Sequence, residues 1–372
     1  MAVFAVRRLV LTDFRSYAGL RLETGRGPVV LTGPNGAGKT NLLEALSFLA
    51  PGHGLRGARL ADVDRAGAGP FAVAARLEGP DGPLEIGTGR APDGPREKRL
   101  VRLDGLPAPN QAALAEIASV VWLTPAMDRL FTDGPEARRR FLDRLVMVGD
   151  PGHAGQGARY HHALRERSRL LREHRGDPAW LGALESRAAA TGVAIAAARR
   201  QTVAGLIAAL AETGGPFPRP ELALDGVVEG WLDTSSALDA EARLADALAA
   251  GRAQDAETGT TAIGPHRSDL LVRDAASGSA ARTCSTGQQK ALLVSIVLAE
   301  ARRRAAEDGR LPVLLLDEVI AHLDPERRAH LFDEILALGA QAWMTGTDAA
   351  LFAPLCADAQ FFNVDSSTVV AS

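Results

Sequence analysis

The chain has 372 residues, room for roughly two or three domains, and 46% of them are apolar, so packed cores rather than disorder are expected. Two cysteines cannot make a disulfide framework, which implies a reducing, cytoplasmic setting. No leader-like segment opens the chain, no apolar run reaches the roughly 18–20 residues of a membrane span, and a net charge of −3 leaves any nucleic-acid footprint to local clusters.

In chain order, residues 3–22 alternate apolar and polar and predict an edge hairpin. Residues 28–31 read as a short buried strand, and the apolar spacing of 41–49 as a helix. Between them lies Gly33-Pro34-Asn35-Gly36-Ala37-Gly38-Lys39-Thr40, so this Gly-rich loop has the strand–loop–helix setting that gives a P-loop its meaning. Residues 52–69 read as loop, and 70–103 as short strands between Pro/Gly turns, a β-rich subdomain. Near Ala112 the composition turns to alanine, leucine and arginine and stays so to about Gly251. One helix is predicted from Asp133, another over 160–175, and a third from Asp177-Pro178 to Gly214-Gly215. The last two, joined by a tight turn, read either as a short antiparallel arm or as part of an ordinary helical subdomain. Short strands return over 260–272, followed by an apolar helix over 291–304. Residues 313–316 have the unbroken apolar character of a central parallel strand, 327–338 a helix and 341–344 another buried strand. The expected fold class is α/β: a head from 1–111 and 256–372, with 112–255 inserted as a helical domain.

Three motifs carry chemistry. In the P-loop, Gly33, Gly36 and Gly38 permit positive φ and close backbone approach, so amides can point at phosphate oxygens. Lys39 is expected to bridge the β- and γ-phosphates of ATP and Thr40 to hold Mg²⁺. Only three residues of the chain, Lys39, Lys98 and Lys290, are lysine, yet a lysine stands where a compact ammonium must fit. Asp317-Glu318, after a buried strand, can supply a carboxylate for Mg²⁺ (Asp317) and one that polarises the attacking water (Glu318). Ser285-Thr286-Gly287-Gln288 precedes a helix and offers a further anion-binding helix start.

Smaller features have two readings. Arg15, at a strand end, either touches phosphate or is solvated. His266 and Arg267 either face DNA or a dimer partner, or form a polar turn. The arginines at 165, 167, 169, 172 and 175 either track a phosphate backbone or pair with Glu166 and Glu173 along the helix. Adjacent His161 and His162 point about 100° apart on a helix, which argues against a metal site, and Cys284 reads as a packing residue.

Together, the P-loop, the Ser285 loop, Asp317-Glu318 and Leu323-Asp324 resemble the ABC-type ATPases that include SMC proteins. Residues 13–17 (Asp-Phe-Arg-Ser-Tyr), Gly134-Pro135 with residues 139–143, residues 264–269 and Ser285 to Lys290 resemble, more narrowly and in the same order, the RecF family of bacterial recombination and repair ATPases. The resemblance implies a head-to-head homodimer closed by ATP, with Ser285, Gly287 and Gln288 completing the partner's nucleotide site. It implies weak DNA-dependent ATP hydrolysis, binding to single-stranded and gapped duplex DNA, cooperation with the RecO and RecR mediators, recombinase loading and SOS induction. Two departures stand out: Ala126 replaces the acid usual after Pro125, which weakens Asp128 as a coupling residue, and Thr345-Gly346-Thr347-Asp348 lacks the switch histidine of transporters, which implies slow hydrolysis. A transporter subunit would show a shorter gap between P-loop and signature, an SMC-like clamp longer heptads, and a nuclease-linked ATPase a further acidic cluster.

Overall fold

The computed structural model describes residues 2–79, 82–91, 98–173, 177–212 and 214–372. The chain forms two compact units: one from Met1–Asp128, Glu212–Pro218 and Ser285–Ser372, the other from Arg129–Ala211 and Arg219–Cys284.

The first unit begins with β1 (Ala2–Val3), β2 (Ala5–Phe14), β3 (Tyr17–Glu23), β4 (Val29–Thr32), α1 (Lys39–Ser47), β5 (Ala72–Gly79), β6 (Gly82–Arg90), β7 (Arg99–Leu103), β8 (Leu106–Pro107) and β9 (Val120–Leu123). The chain then builds the second unit from α2 (Pro135–Gly149), α3 (His153–Arg172), α4 (Pro178–Ala211), β10 (Pro220–Asp225), α5 (Val227–Trp231), α6 (Ala237–Ala250), α7 (Arg252–Thr258) and β11 (Asp269–Asp274). It returns to the first unit with α8 (Thr286–Asp308), β12 (Arg310–Leu311), β13 (Val313–Leu316), α9 (Pro325–Leu338), β14 (Ala342–Gly346), β15 (Gln360–Asp365) and β16 (Thr368–Ala371).

Unit 1 contains two six-stranded sheets. The antiparallel sheet, ordered β3-β2-β5-β6-β7-β8, puts the predicted hairpin at its edge. The other, ordered β16-β15-β4-β14-β13-β9, is parallel apart from β16. Its strands β4, β9, β13 and β14 bury every residue, the pattern of strands covered on both faces. Phe14, Phe48 and Phe71 meet edge to face, 5.3–5.9 Å between centroids, in the same core as Leu31 and Trp343. Gln341, fully buried, accepts from Val6 N (2.8 Å) and donates to the carbonyls of Val6 (3.1 Å) and Gly25 (2.8 Å), so its amide is satisfied by backbone on three sides.

In unit 2, α4 packs against both α3 and α6 over a core that includes Tyr160, Leu164, Val193 and Leu244. The two long helices therefore sit within a packed core, the helical-subdomain reading of the two that the sequence offers. Fully buried Arg167 forks onto Glu185 (2.9 Å), Asp255 (2.7 Å) and the Leu248 carbonyl (2.6 Å), compensating a charge that burial alone would make costly. By length and composition α4 is apolar enough to cross a membrane; it was not seen as such because alanine supplies its apolarity, and half of its most apolar stretch is buried. Residues 112–128 belong with unit 1 because β9 lies in the parallel sheet, and 256–284 with unit 2 because β11 pairs with β10 along its whole length. No strand forms over 260–264; a turn leads into a 3₁₀ segment, Pro265–Arg267.

Candidate nucleotide site

The P-loop follows β4 and its glycines do different jobs. Gly33 (φ 139°) has room for no side chain: an added Cβ would lie 2.0 Å from the Val364 carbonyl oxygen. At Gly38 (φ 114°) it would lie 2.7 Å from Tyr17 Oη, which donates to the Gly38 carbonyl (3.2 Å). Burial pushes the Tyr17 phenol well above its ordinary range, so it stays a neutral donor. Gly36 (φ 79°) has nothing within 4 Å; it marks the open face of the loop. Next begins α1, whose leading amides at Lys39, Thr40 and Asn41 have no intrahelical acceptor and whose dipole favours an anion.

Lys39 is buried, its Nζ donating to the carbonyls of Gly33 (2.6 Å) and Pro34 (2.9 Å). Burial lowers its pKa, while the Glu318 and Asp317 carboxylates pull the other way. The Thr40 hydroxyl lies 3.0 Å from both oxygens of Asp317, joining positions 277 residues apart in sequence. Asp317 is 3% exposed, and desolvation raises its pKa against hydrogen bonds from Thr345 and Thr40. Thr345, at the end of β14, donates to Asp317 Oδ1 (2.8 Å) and accepts from the backbone amide of Glu318 (2.8 Å). Glu318 sits at φ 52°, the left-handed region that a non-glycine residue seldom enters. Lys290 on α8 places its ammonium 3.4 Å from the Glu318 carbonyl and 3.4 Å from Asp128. The structure thus brings Lys39, Thr40, Asp317 and Glu318 together and adds Thr345 and Lys290.

Ser285 and Gln288 form a capping box at the start of α8: Ser285 Oγ accepts from the Gln288 amide and Gln288 Oε1 from the Ser285 amide. Ser285, Thr286 and Gln288 are exposed, and Gly287 partly so. Among the described residues, the side-chain hydrogen bonds of Ser285 and Gln288 stay within the box.

Arg15 is partly buried and paired within its own chain, so the solvated reading does not describe it. Its guanidinium grips the fully buried Glu44 of α1 at 2.8 and 2.6 Å, and Arg56 holds the same carboxylate. This cluster fixes the back of the P-loop helix; Glu44 went unnoticed because it reads as one polar residue in an apolar helix. His266 accepts at Nδ1 from Tyr160 Oη (2.7 Å) and donates from Nε2 to the Thr261 carbonyl (3.0 Å). Burial depresses its pKa to about 4, so it is a neutral structural group. Arg267 is exposed and donates to the Thr261 carbonyl (2.9 Å). Of the arginine run, Arg167 is a core ion-pair residue and Arg175 lies outside the described residues.

Residues 5–354 match the model of the RecF/RecN/SMC N terminal domain. The DNA replication and repair protein RecF of Mesorhizobium japonicum (strain LMG 29417 / CECT 9101 / MAFF 303099) is 51% identical over 98% of this chain and 97% of its own. That of Agrobacterium fabrum (strain C58 / ATCC 33970) is 49% identical over 99% and 98%. Among solved structures, the recombination mediator protein RecF-ATPrS of the RecFOR pathway superposes with a TM-score of 0.87 at 22% identity, over 99% of this chain and 98% of that one. A Pyrococcus furiosus Smc head domain reaches 0.55 at 17% identity, over 100% and 96%. The fold is that of RecF and SMC ATPase heads, and the chain belongs to the RecF family of DNA replication and repair proteins.

Proposed function

We propose that this protein binds and slowly hydrolyses ATP at the P-loop and uses that cycle to act on gapped and single-stranded DNA in recombinational repair. The observation that carries the reading is the Thr40–Asp317–Thr345–Glu318 network, which joins the P-loop to a pair of adjacent carboxylates. The residues fit the nucleotide: Gly36 leaves the loop face open, the first amides of α1 have no intrahelical acceptor, and Lys39 supplies a cation. They also fit Mg²⁺, since Thr40 and Asp317 offer adjacent hard oxygen donors. When bound, Mg²⁺ would neutralise charge developing on the phosphate oxygens. Glu318 accepts a proton from the attacking water as its oxygen bonds to the γ-phosphorus and the bond to ADP breaks. Lys39 leaves its loop carbonyls to hold the β- and γ-phosphate oxygens.

Exposure of Ser285 and Gln288, with Gly287 partly exposed between them, supports a site completed in trans, with two chains closing head to head on ATP. RecF structures described within the RecFOR pathway support RecO and RecR as partners, and two free cysteines fit a cytoplasmic setting.

Glu318→Gln should bind ATP nearly as tightly as the parent while turnover falls on the order of 100-fold. Lys39→Met should lose both. Equilibrium binding of a fluorescent ATP analogue and phosphate release measure the two; normal turnover in Glu318→Gln would remove Glu318 as the base.

A further inference from the structure

Unit 2 carries a groove of about 970 Å³ whose walls hold seven arginines and three carboxylates, on a chain that is acidic overall. All three carboxylates are already engaged: Glu136 by Arg140, Asp143 by Arg199 and Glu166 by Arg169. Arg139, Arg165 and Arg267 form no ion pair among the described residues; Arg139 donates to the Ser268 carbonyl and Arg267 to that of Thr261. Burial and the neighbouring Arg199 guanidinium both disfavour the charge on Arg139, so an incoming anion would relieve it. Arg165, Arg169 and Arg172 follow at i, i+4 and i+7 on α3 and line the groove, whereas Arg167 turns into the core. Hydroxyls of Ser168 and Thr260 share the wall.

We infer that this groove seats a phosphodiester backbone, read by charge and not by base sequence. Arginine forks match phosphate oxygens, and hydroxyls are the usual supporting donors. A protein partner fits worse. Its anchors are buried aromatic and aliphatic side chains, and Leu164 is the one large apolar residue on these walls. The inference rests on the DNA-binding reading above and adds the surface that performs it.

The test uses the full chain, a labelled single strand of about 30 nucleotides and the matching duplex, with binding followed from about 50 to 200 mM salt. Arg165→Ala/Arg267→Ala, two exposed residues from different elements, should weaken binding and lower the slope of log K against log salt by roughly 1.5–2. Arg165→Lys/Arg267→Lys should keep the slope, which separates lost charge from lost structure. Arg21→Ala, an exposed arginine of unit 1, should leave it unchanged. A parental slope in the double alanine variant overturns the groove and leaves DNA binding standing. No binding by the parent overturns both. Displacement of the strand by polyglutamate as readily as by unlabelled strand overturns it in favour of an acidic protein.

Discussion

One hydroxyl, Thr345 Oγ1, receives the amide of Glu318 and donates to Asp317, so it sets both carboxylates at once. Glu318 is held at a positive φ, a conformation that persists where surrounding bonds over-determine it. Thr345→Val keeps the shape and removes both bonds. Turnover should fall about 10–100-fold, the usual cost of losing an orienting neighbour, with ATP affinity little changed. Equal losses in affinity and turnover would instead mean that Thr345 merely holds the fold. The P-loop and Asp317-Glu318 were legible because their chemistry is written in consecutive residues. Thr345 and Lys290 were not, since only the parallel pairing of β13 with β14 and the course of α8 bring them near. Arg15 shows a different limit: a basic residue near a phosphate loop invites an electrostatic reading, and its partner Glu44 could not be seen because it lies on a different element.

At the scale of elements, α3 and α4 were legible as helices from their spacing and length, but spacing alone left an arm and a packed subdomain both open. A signal was available. Arg167 lies three residues after Leu164 and three before Leu170, on the stripe that faces inward, so its guanidinium had to be buried and compensated. Arg167→Ala removes the guanidinium partner of Asp255 and leaves Glu185 to Arg252 alone, and should cost about 3–5 kcal/mol. Arg167→Ala combined with Glu185→Ala should cost less than the two single changes added together, because each single change already removes the buried Arg167–Glu185 pair. Urea unfolding of the three variants measures this, and strict additivity would mean the network carries no coupling. The absent strand at 260–264 has a similar lesson: β-like composition there gives way to a turn that ties Thr261 to His266 and Arg267.

For the whole molecule, the expected α/β head made from both chain ends is what the parallel sheet shows, with β4 between β14 and β15. The boundaries could not be read from composition, because β9 and β11 are short strands whose partners lie far away in sequence. If two such heads close on ATP, light scattering with Mg-ATP should double the 39.0 kDa mass of the chain. Lys39→Met should stay at the single-chain mass. An unchanged parental mass would end the trans role of Ser285.

The position of β4 also has a consequence for biosynthesis. Both its neighbours, residues 342–346 and 360–365, leave the ribosome last, so the strand that carries the P-loop is made early and must wait with its hydrogen-bonding edges unpaired. Unit 2 is complete by Cys284 and can fold in the meantime. A prematurely terminated chain would therefore carry an intact P-loop sequence and no nucleotide site, and its apolar β4 would be a natural substrate for chaperones.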